Sequence, residues 1–299
     1  MKCDILTIGA GPAGLSAAAY SARAGYKTIV MDNMGTGGQL MFIDKIENYP
    51  GVAEISGFEL AERYEKQCEE FGVQVEYAKA QSIEKKNDVF IVKTEGEDIE
   101  AKAIIIATGA SHRHLDVPGE NEYAGRGVSY CATCDGPFFK NKDIIVVGGG
   151  DTALTDAIYL SKICKSVTII HRRNEFRAQK VLQDRIMKID NIKTEMSNNI
   201  VEIHGDGSKV TSVVLKDGRK ISTDGVFVLV GTTPNSSIVE NICTLDKGAI
   251  ETNDRMETSE KGIFAAGDVR NTPFRQVVTA AGDGAIAAHS ADEYIQDMS

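Results

Sequence analysis

A pattern of strand, glycine turn, helix and strand occurs twice in this 299-residue chain, and it limits the possible folds more than any other feature. The first copy has a short strand at residues 4–8, a glycine turn at 9–14 and a second strand at 28–31. The second copy repeats this order over residues 143–171, at a constant offset of 139 positions. Glycines at such a turn let the backbone approach a pyrophosphate at the N-terminus of the following helix. Two copies in register therefore predict two dinucleotide-binding domains.

Two further apolar strands indicate how the domains are connected. They lie at residues 103–107 and 262–266, before and after the second copy, and neither completes it. We therefore expect an α/β fold with two Rossmann-like three-layer dinucleotide-binding domains, the second inserted into the first. The predicted boundaries are 1–115 for the first part of the outer domain, 116–243 for the inserted domain and 244–299 for the second part of the outer domain. The candidate crossings are Pro118-Gly119 and the segment Cys243–Gly248.

The residue that closes the second strand of each copy indicates which dinucleotide binds. Asp32 closes the first copy, where a carboxylate accepts hydrogen bonds from a ribose 2′-hydroxyl, as in FAD or NAD. The equivalent residue of the second copy is His171, which precedes Arg172, Arg173 and Arg177. Guanidinium groups suit a 2′-phosphate, so this copy predicts NADP. The alternatives are a surface carboxylate at Asp32 and a solvated basic loop after His171.

The charge and hydropathy of the chain exclude some partners. A formal net charge of −10 disfavours nucleic acid or an anionic membrane surface as the main partner. No apolar run approaches the roughly 18 residues of a membrane span. The N-terminus enters the first strand without a charged region, an apolar core and a cleavage site, so we expect a soluble, cytoplasmic protein.

The cysteine pair Cys131 and Cys134 precedes the second copy, and its spacing suits a disulfide that opens and closes. Asp135 follows it and can supply a proton, and its position beside both sulfurs favours this role over the alternative of a turn or cap residue. Zinc is the alternative for the pair, but we expect no metal because a zinc site needs four ligands. The histidines show no ligand spacing; they are His112, His114, His171, His204 and His289. We interpret the remaining cysteines as structural; they are Cys3, Cys68, Cys164 and Cys243.

Several motifs together resemble the low-molecular-weight thioredoxin reductases along nearly the whole chain. The most specific is Cys-Ala-Thr-Cys-Asp at 131–135, placed between two dinucleotide motifs. The others are Gly-Ala-Gly-Pro-Ala-Gly at 9–14, Gly-Gly-Gln-Leu at 37–40, Asn-Tyr-Pro-Gly at 48–51, Ala-Thr-Gly-Ala at 107–110, Gly-Gly-Gly-Asp at 148–151, His-Arg-Arg at 171–173, Ala-Ala-Gly-Asp-Val at 265–269 and Arg-Gln at 275–276.

This resemblance implies FAD in the outer domain, NADPH in the inserted domain, and Cys131, Cys134 and Asp135 as catalytic residues. The implied FAD-binding residues are Gly9, Gly11, Pro12, Ala13, Gly14, Asp32, Gly38, Gln39, Leu40, Asn48, Thr108, Gly109, Gly267, Asp268, Arg275, Gln276 and Val277. The implied NADPH-binding residues are Gly148, Gly150, Asp151, Thr152, His171, Arg172, Arg173 and Arg177.

The resemblance also implies a route for the electrons. They pass from NADPH to the flavin, then to the Cys131–Cys134 disulfide, and then by thiol exchange to thioredoxin or a thioredoxin-like protein. Cys134 resembles the flavin-facing sulfur and Cys131 the one that attacks the substrate, with Asp135 relaying the proton. A homodimer is implied, as is rotation of the inserted domain about crossings near 113–119 and 241–248.

The second glycine motif departs from the family pattern. Thr152 stands where the family more often has serine, and Thr155 and Asp156 stand where it has paired glutamates. NADPH is therefore a weaker expectation than FAD. The alternatives are a flavin disulfide reductase supplied by ferredoxin or another non-nicotinamide donor, a binding module without turnover, and the reductase half of a peroxide-detoxifying pair. Arg172 and its neighbours disfavour the first, the intact dithiol disfavours the second, and the lack of an extra N-terminal redox domain disfavours the third.

Overall fold

The computed structural model describes residues 1–43 and 45–298, which form two compact units. Unit 1 comprises Met1–Ser111 together with the chain from Thr233 onward, and unit 2 comprises His112–Thr232. Two short strands that pair with each other, Ala110–His112 and Thr232–Pro234, carry the chain across both boundaries.

Both boundaries differ from the predicted positions at 115/116 and 243/244. The larger difference is the second, because the chain returns to unit 1 at Thr233. Val239 and Cys243 are buried in the core of unit 1, with Ile238 and Ile242 packed against it. The turn that suggested a crossing near residue 243 is instead part of a small hairpin within unit 1.

The first stretch of unit 1 contains most of its sheet. Its elements are β1 (Lys2–Ile8), α1 (Pro12–Arg23), β2 (Thr28–Met31), α2 (Gly57–Glu70), β3 (Gln74–Glu76), β4 (Ala80–Lys86), β5 (Val89–Thr94), β6 (Ile99–Ile106) and β7 (Ala110–His112).

Unit 2 follows with strands and shorter helices. Its elements are β8 (Val128–Ser129), α3 (Ala132–Asp135), β9 (Asp143–Val147), α4 (Asp151–Ser161), β10 (Ser166–His171), α5 (Lys180–Ile186), β11 (Ile192–Met196), β12 (Ile200–Gly205), β13 (Val210–Leu215), β14 (Lys220–Ser222) and β15 (Gly225–Val228). The chain then returns through β16 (Thr232–Pro234), β17 (Leu245–Asp246), β18 (Ala249–Ile250), β19 (Ile263–Ala265) and α6 (Val277–Asp297).

The sheet of unit 1 has the order β3-β2-β1-β6-β5-β4, and its first four strands are parallel. β19 pairs in parallel with the last residues of β6, while β5 pairs antiparallel with the first. The carboxyl ends of β1, β2, β6 and β19 consequently share one edge. In open α/β sheets, ligands bind at that edge.

Both faces of this sheet are buried, which explains its continuous apolar strands. Alternation along the strands places Ile5 and Ile105 in the cluster with α1 and α6. Leu6 and Ile104 point to the opposite face, into a second cluster. The helices α1 and α6 pack so closely that a Cβ at Gly284 would lie 2.1 Å from the carbonyl oxygen of Ala13.

Unit 2 contains a parallel sheet of order β11-β10-β9-β15-β8 and an antiparallel sheet of order β12-β13-β14. Ala132 of α3 is buried with Phe139 and Ile144 in a cluster that α4 also contributes to. The α/β fold class predicted from the sequence is therefore confirmed. Among the residues described, no helix is both long enough and apolar enough to span a membrane.

Candidate functional site

The first glycine turn needs each of its three glycines for a different reason. Gly9 ends β1 with a φ of 107°, and a Cβ there would lie 2.3 Å from the carbonyl oxygen of Ala107. A Cβ at Gly14 would lie 1.8 Å from the carbonyl oxygen of Gly9, so α1 packs too closely on the strand for any side chain. Gly11 caps α1, and no atom lies within 4 Å of a Cβ built there. Its open side is where a phosphate can meet the first N–H groups of the helix.

Pro12 and Ala13, which follow Gly11, also fit a phosphate-binding turn. Pro12 occupies the first turn of α1, where a missing N–H costs nothing. Ala13 is buried against the turn that follows β19, because a Cβ at Gly267 would lie 2.9 Å from the Ala13 Cβ. The two glycine turns of unit 1 therefore adjoin each other.

Asp32 lies at the end of β2, beside the first turn. Its Oδ2 accepts a hydrogen bond of 3.0 Å from the N–H of Ala10, and its Oδ1 accepts one of 2.8 Å from the N–H of Met34. These contacts fix a carboxylate where a ribose hydroxyl is expected. The loop after β2 also returns to this point, since a Cβ at Gly38 would lie 3.2 Å from the Cα of Gly11.

The residues after Gly38 are tied to the rest of unit 1. Gln39 donates from Nε2 to the carbonyl oxygen of Ala110, at the start of β7. Leu40 is 1% exposed and belongs to a small apolar cluster, against which Val277 of α6 packs. The side chain of Leu40 is therefore a packing group, which leaves its backbone to contact a ligand.

Thr108 and Gly109 follow β6 and are held by Asn235, which the sequence did not single out. Thr108 Oγ1 donates to the carbonyl oxygen of Asn235 at 2.7 Å, and Asn235 Nδ2 donates to the carbonyl oxygen of Thr108 at 2.9 Å. Asn48 donates from Nδ2 to Oε1 of Gln276 at 2.9 Å. Gln276 is the N-cap of α6, so this pair joins an early loop to a late helix.

The turn at Gly267 is supported by an ion pair that no sequence motif indicated. Oδ2 of Asp283, on α6, accepts the N–H of Gly267 at 3.1 Å and pairs with Arg270 at 3.2 Å. Arg275 donates to the carbonyl oxygen of Asp268. Burial raises the pKa of Asp268, an effect that Arg275 opposes and Asp283 reinforces. The Gly267 turn is thus held in place from α6.

The second glycine turn reproduces the first with one change. A Cβ at Gly148 would lie 2.4 Å from the carbonyl oxygen of Leu229, so β9 and β15 leave no room for a side chain. Gly150 caps α4, and nothing lies within 4 Å of a Cβ built there, as at Gly11. Ala153 takes the third glycine position and is fully buried. Unit 2 therefore also has an open helix N-terminus suited to a phosphate.

The side chains at the start of α4 have different roles. Asp151 accepts from the backbone N–H of Gln179 at 2.7 Å and from its Nε2 at 3.2 Å, which secures the loop after β10. Thr152 is exposed beside it. Asp156 lies one turn further along, where burial raises its pKa to about 6.

The basic segment after β10 separates into an inward histidine and outward arginines. His171 is 6% exposed, stacks on Phe176, and approaches to 2.3 Å from a Cβ built at Gly149. Burial lowers its pKa, and the nearby arginines add to this. Its Nε2 is buried with no hydrogen-bond partner among residues 1–43 and 45–298. The backbone N–H of Arg177 donates to the carbonyl oxygen of Gly149 at 2.8 Å, so the segment adjoins the glycine turn.

Three guanidinium groups of this segment are available to a phosphate. Their side chains are exposed, and none forms an ion pair with a carboxylate in the described part of the chain; they are Arg172, Arg173 and Arg177. Unpaired guanidinium groups beside an open helix N-terminus fit a nucleotide that carries an additional phosphate.

Cys131 and Cys134 form a disulfide, with an S–S distance of 2.11 Å. Cys131 is the N-cap of α3, and its Sγ accepts a hydrogen bond of 3.2 Å from the N–H of Cys134. Thr133 Oγ1 lies 3.5 Å from the same sulfur. All three side chains are half-buried, so the pair is accessible to a reagent.

Ser129 connects this pair to Asp135, although no sequence motif pointed to it. Its hydroxyl donates to Oδ2 of Asp135 at 2.6 Å and accepts the N–H of Cys131 at 3.1 Å. Ser129 is 4% exposed, so this link is shielded from water. The structure therefore places Asp135 in the same hydrogen-bonded turn as the disulfide.

The other cysteines and the histidines form no second redox or metal site in the described residues. The four remaining cysteines are free and buried. Burial raises the pKa of the Cys3 and Cys68 thiols to about 12 and that of Cys164 to about 11, which makes them unreactive. Over the same residues, no group of three histidine, cysteine or acidic side chains could hold a metal ion.

Comparison with known proteins gives consistent matches over the full length. The sequence profile described as pyridine nucleotide-disulphide oxidoreductase matches residues 3–284. A thioredoxin reductase of Treponema pallidum is 46% identical over 99% of this chain and 98% of its own length. A thioredoxin reductase of Bacillus subtilis is 43% identical over 99% of this chain and 95% of its own length. The crystal structure of thioredoxin reductase from Streptococcus pyogenes covers 99% of both chains, with a TM-score of 0.94 and 45% identity.

Proposed function

This chain belongs to the pyridine nucleotide-disulphide oxidoreductase family, and we propose that it passes electrons from NADPH through FAD and the Cys131–Cys134 pair to oxidised thioredoxin or a thioredoxin-like protein. Its full-length relatives are thioredoxin reductases, so it is an oxidoreductase that reduces a thioredoxin disulfide. The observation that carries the proposal is the Cys131–Cys134 disulfide, within a chain that has two open glycine turns. The alternative donor, ferredoxin, gains no support from these relatives.

FAD is the group that unit 1 fits. Gly11 leaves space at the N-terminus of α1 for a pyrophosphate, and Asp32 offers a fixed carboxylate to a ribose. Asp268, Gln276 and the Thr108-Gly109 turn lie at the ends of strands or helices of the same unit. When bound, FAD supplies a carrier for two electrons between a nicotinamide and a disulfide. The protein's part is to bind and orient it.

NADPH is the nucleotide that unit 2 fits. Gly150 leaves the N-terminus of α4 open, and the three exposed arginines can form charge-assisted hydrogen bonds with a 2′-phosphate. No carboxylate stands at the end of β10 to bind an unmodified ribose, because His171 occupies that position. These features favour NADPH over NADH.

The disulfide exchange itself depends on the side chains of Cys131, Cys134 and Asp135. Two electrons and two protons convert the Cys131–Cys134 disulfide to two thiols. The thiolate of Cys131 then attacks the substrate disulfide and forms a mixed disulfide, which Cys134 resolves to release the reduced substrate. We assign the acceptance and return of the proton to Asp135, whose Oδ2 is held by the hydroxyl of Ser129.

We propose a homodimer and a cytoplasmic location, as the family resemblance implies. We also propose that the two chain crossings at 110–112 and 232–234 allow unit 2 to move during turnover. Sedimentation velocity of the purified chain tests the dimer, and a monomer at micromolar concentration would exclude it.

The experiment that tests this function is anaerobic mixing of the FAD-loaded protein with NADPH, NADH or reduced ferredoxin. We expect NADPH to bleach the flavin fastest and to release thiols from added thioredoxin disulfide. In Cys134→Ser, flavin bleaching should persist while thioredoxin reduction stops, because no Cys131–Cys134 disulfide can form to be reduced and no second thiol can resolve a mixed disulfide. Cys164→Ser is the control, since that thiol is buried and free. Full thioredoxin turnover by Cys134→Ser would exclude the proposed role of the pair.

A further inference from the structure

Glu120 is a buried carboxylate of unit 2 that has no part in the reaction described above. Only 1% of its surface is exposed. Its two oxygens accept the N–H of Leu115 at 3.0 and 2.9 Å and the N–H of Asp116 at 2.8 Å, and Oε1 also accepts the hydroxyl of Tyr130 at 3.0 Å. A buried carboxylate is costly unless it is hydrogen-bonded, and these contacts meet that requirement. Glu120 therefore links Leu115 and Asp116, at the start of unit 2, to Tyr130 by hydrogen bonds.

The direction of the hydrogen bonds follows from what each group can donate. A carboxylate only accepts, so Tyr130 donates its proton to Glu120. The Tyr130 oxygen can then accept from Nδ1 of His114, which lies 2.9 Å away. Burial raises the pKa of Tyr130, and the charge of Glu120 adds to this, so the hydroxyl keeps the proton that it donates.

The ring of Tyr130 is held as well as its hydroxyl. His112 stacks on it with ring centroids 5.3 Å apart and an interplanar angle of 22°. His114 meets it edge-on, with centroids 5.1 Å apart. Burial lowers the pKa of His112, and His114 adds to this effect, so the environment favours the neutral form of the stacked ring. Both histidines belong to the same entering segment as Leu115.

Tyr130 lies between Ser129 and Cys131, two residues of the hydrogen-bonded turn that contains the disulfide. Ser129, before it, is bonded to Asp135 and to the N–H of Cys131. Cys131, after it, caps α3 and receives the N–H of Cys134 on its sulfur. A shift of the Tyr130 side chain would move the backbone on both sides of it.

We propose that Glu120 and Tyr130 are positioning residues for thiol exchange, because they fix the segment that precedes Cys131. This inference rests on the function proposed above. An N–H that points at sulfur favours the thiolate over the thiol once the disulfide is reduced. Loosening the segment weakens the contact between the Cys134 N–H and the Cys131 sulfur. Cys131 then forms a thiolate less readily, and it attacks more slowly.

The test uses Tyr130→Phe in the full chain, because the ring and its stacking on His112 remain. The protein is reduced, and alkylation of Cys131 by iodoacetamide is followed by mass spectrometry across a pH series. We expect Cys131 alkylation at neutral pH to slow by about three- to tenfold, the worth of one hydrogen bond, with the pH midpoint moved upward. The catalytic efficiency for thioredoxin should fall by a similar factor, while flavin reduction by NADPH stays unchanged.

Tyr159→Phe is the matched control. Tyr159 lies beside Gly136, at the other end of the same turn, and its hydroxyl has no hydrogen-bond partner among the described residues. We expect its alkylation profile to equal that of the unaltered protein. Glu120→Gln should slow the alkylation of Cys131 as Tyr130→Phe does. If Glu120→Gln does not fold, the result with Tyr130→Phe alone tests the proposal.

The proposal fails if Tyr130→Phe only lowers the unfolding temperature and leaves the pH profile in place, which is the result of a merely structural role. It also fails if Tyr159→Phe shifts the profile equally. Alkylation requires neither FAD nor thioredoxin. A shifted profile in a chain that does not reduce thioredoxin would therefore uphold the positioning and refute the proposed function.

Discussion

Substitution of Gly11 by alanine should weaken FAD binding without unfolding the protein. Gly11 has φ of −79° and ψ of −175°, which alanine adopts freely, and a Cβ there meets no atom within 4 Å. Replacing a glycine at a compatible site stabilises by about 0.4–1 kcal/mol. Losing glycine as an N-cap costs about as much. We therefore expect the free energy of unfolding of the apoprotein to change by less than about 1 kcal/mol.

The effect on binding should be much larger than the effect on folding. The added methyl group would occupy the open space at the N-terminus of α1, where we propose that the pyrophosphate binds. Each hydrogen bond to a charged group contributes about 1.5–3 kcal/mol, so losing one weakens FAD binding roughly 10- to 150-fold. The dissociation constant is measured by quenching of FAD fluorescence on titration with apoprotein, and stability by urea unfolding of the same samples.

Gly14→Ala is the matched comparison, because it adds the same methyl group one turn away. There the Cβ would lie 1.8 Å from the carbonyl oxygen of Gly9, so α1 must move off the strand. Such overpacking costs about 1–3 kcal/mol of stability or more. The reasoning is refuted if Gly11→Ala binds FAD as tightly as the unaltered protein, or if Gly14→Ala is as stable as Gly11→Ala.

Three further predictions concern charged side chains. Replacing Arg172 and Arg173 together by alanine should raise the dissociation constant for NADPH at least tenfold, since each charge-assisted contact contributes about 1.5–3 kcal/mol, and should leave the dissociation constant for NADH unchanged. The control is Arg185→Ala, which removes an exposed arginine of α5. An equal loss of affinity for both nucleotides would contradict the 2′-phosphate role. Asp283→Asn leaves the largely buried Arg270 guanidinium without its carboxylate partner, although Arg270 Nε still donates to Thr252 Oγ1. It should lower the free energy of unfolding by up to about 3–5 kcal/mol and weaken FAD binding through Gly267. Glu293→Gln, which removes the exposed ion pair between Glu293 of the same helix and Arg255, should show neither effect. Asp156 has its pKa raised to about 6 in the folded chain, so the folded state holds the proton more tightly and stability falls as pH rises from about 4 through 6. Asp156→Asn should therefore raise the free energy of unfolding at pH 7 by on the order of 2 kcal/mol and leave it unchanged near pH 3, as measured by urea unfolding. An equal gain in stability at both pH values would exclude burial of the charge as its cause.

Local sequence spacing was sufficient for the parts of this protein that depend on local backbone geometry. The turns at Gly9 and Gly148 could be predicted because a strand, a glycine turn and a helix have a fixed length and residue pattern. The Cys131–Cys134 pair could be predicted because the two residues lie on one helical turn. The confirmed fold class followed from the repetition of these units.

Tertiary structure alone decided the features that join distant parts of the chain. Unit 2 ends at Thr232 because Val239 and Cys243 pack into a core built mainly from the first hundred residues. Asp283 supports Gly267 through a contact between separate elements, and His171 turns inward because Gly149 leaves space for its ring. Glu120 is buried because Tyr130 and two backbone N–H groups satisfy its oxygens. Such contacts leave no periodic trace in sequence, since they depend on which surfaces meet after the strands have paired.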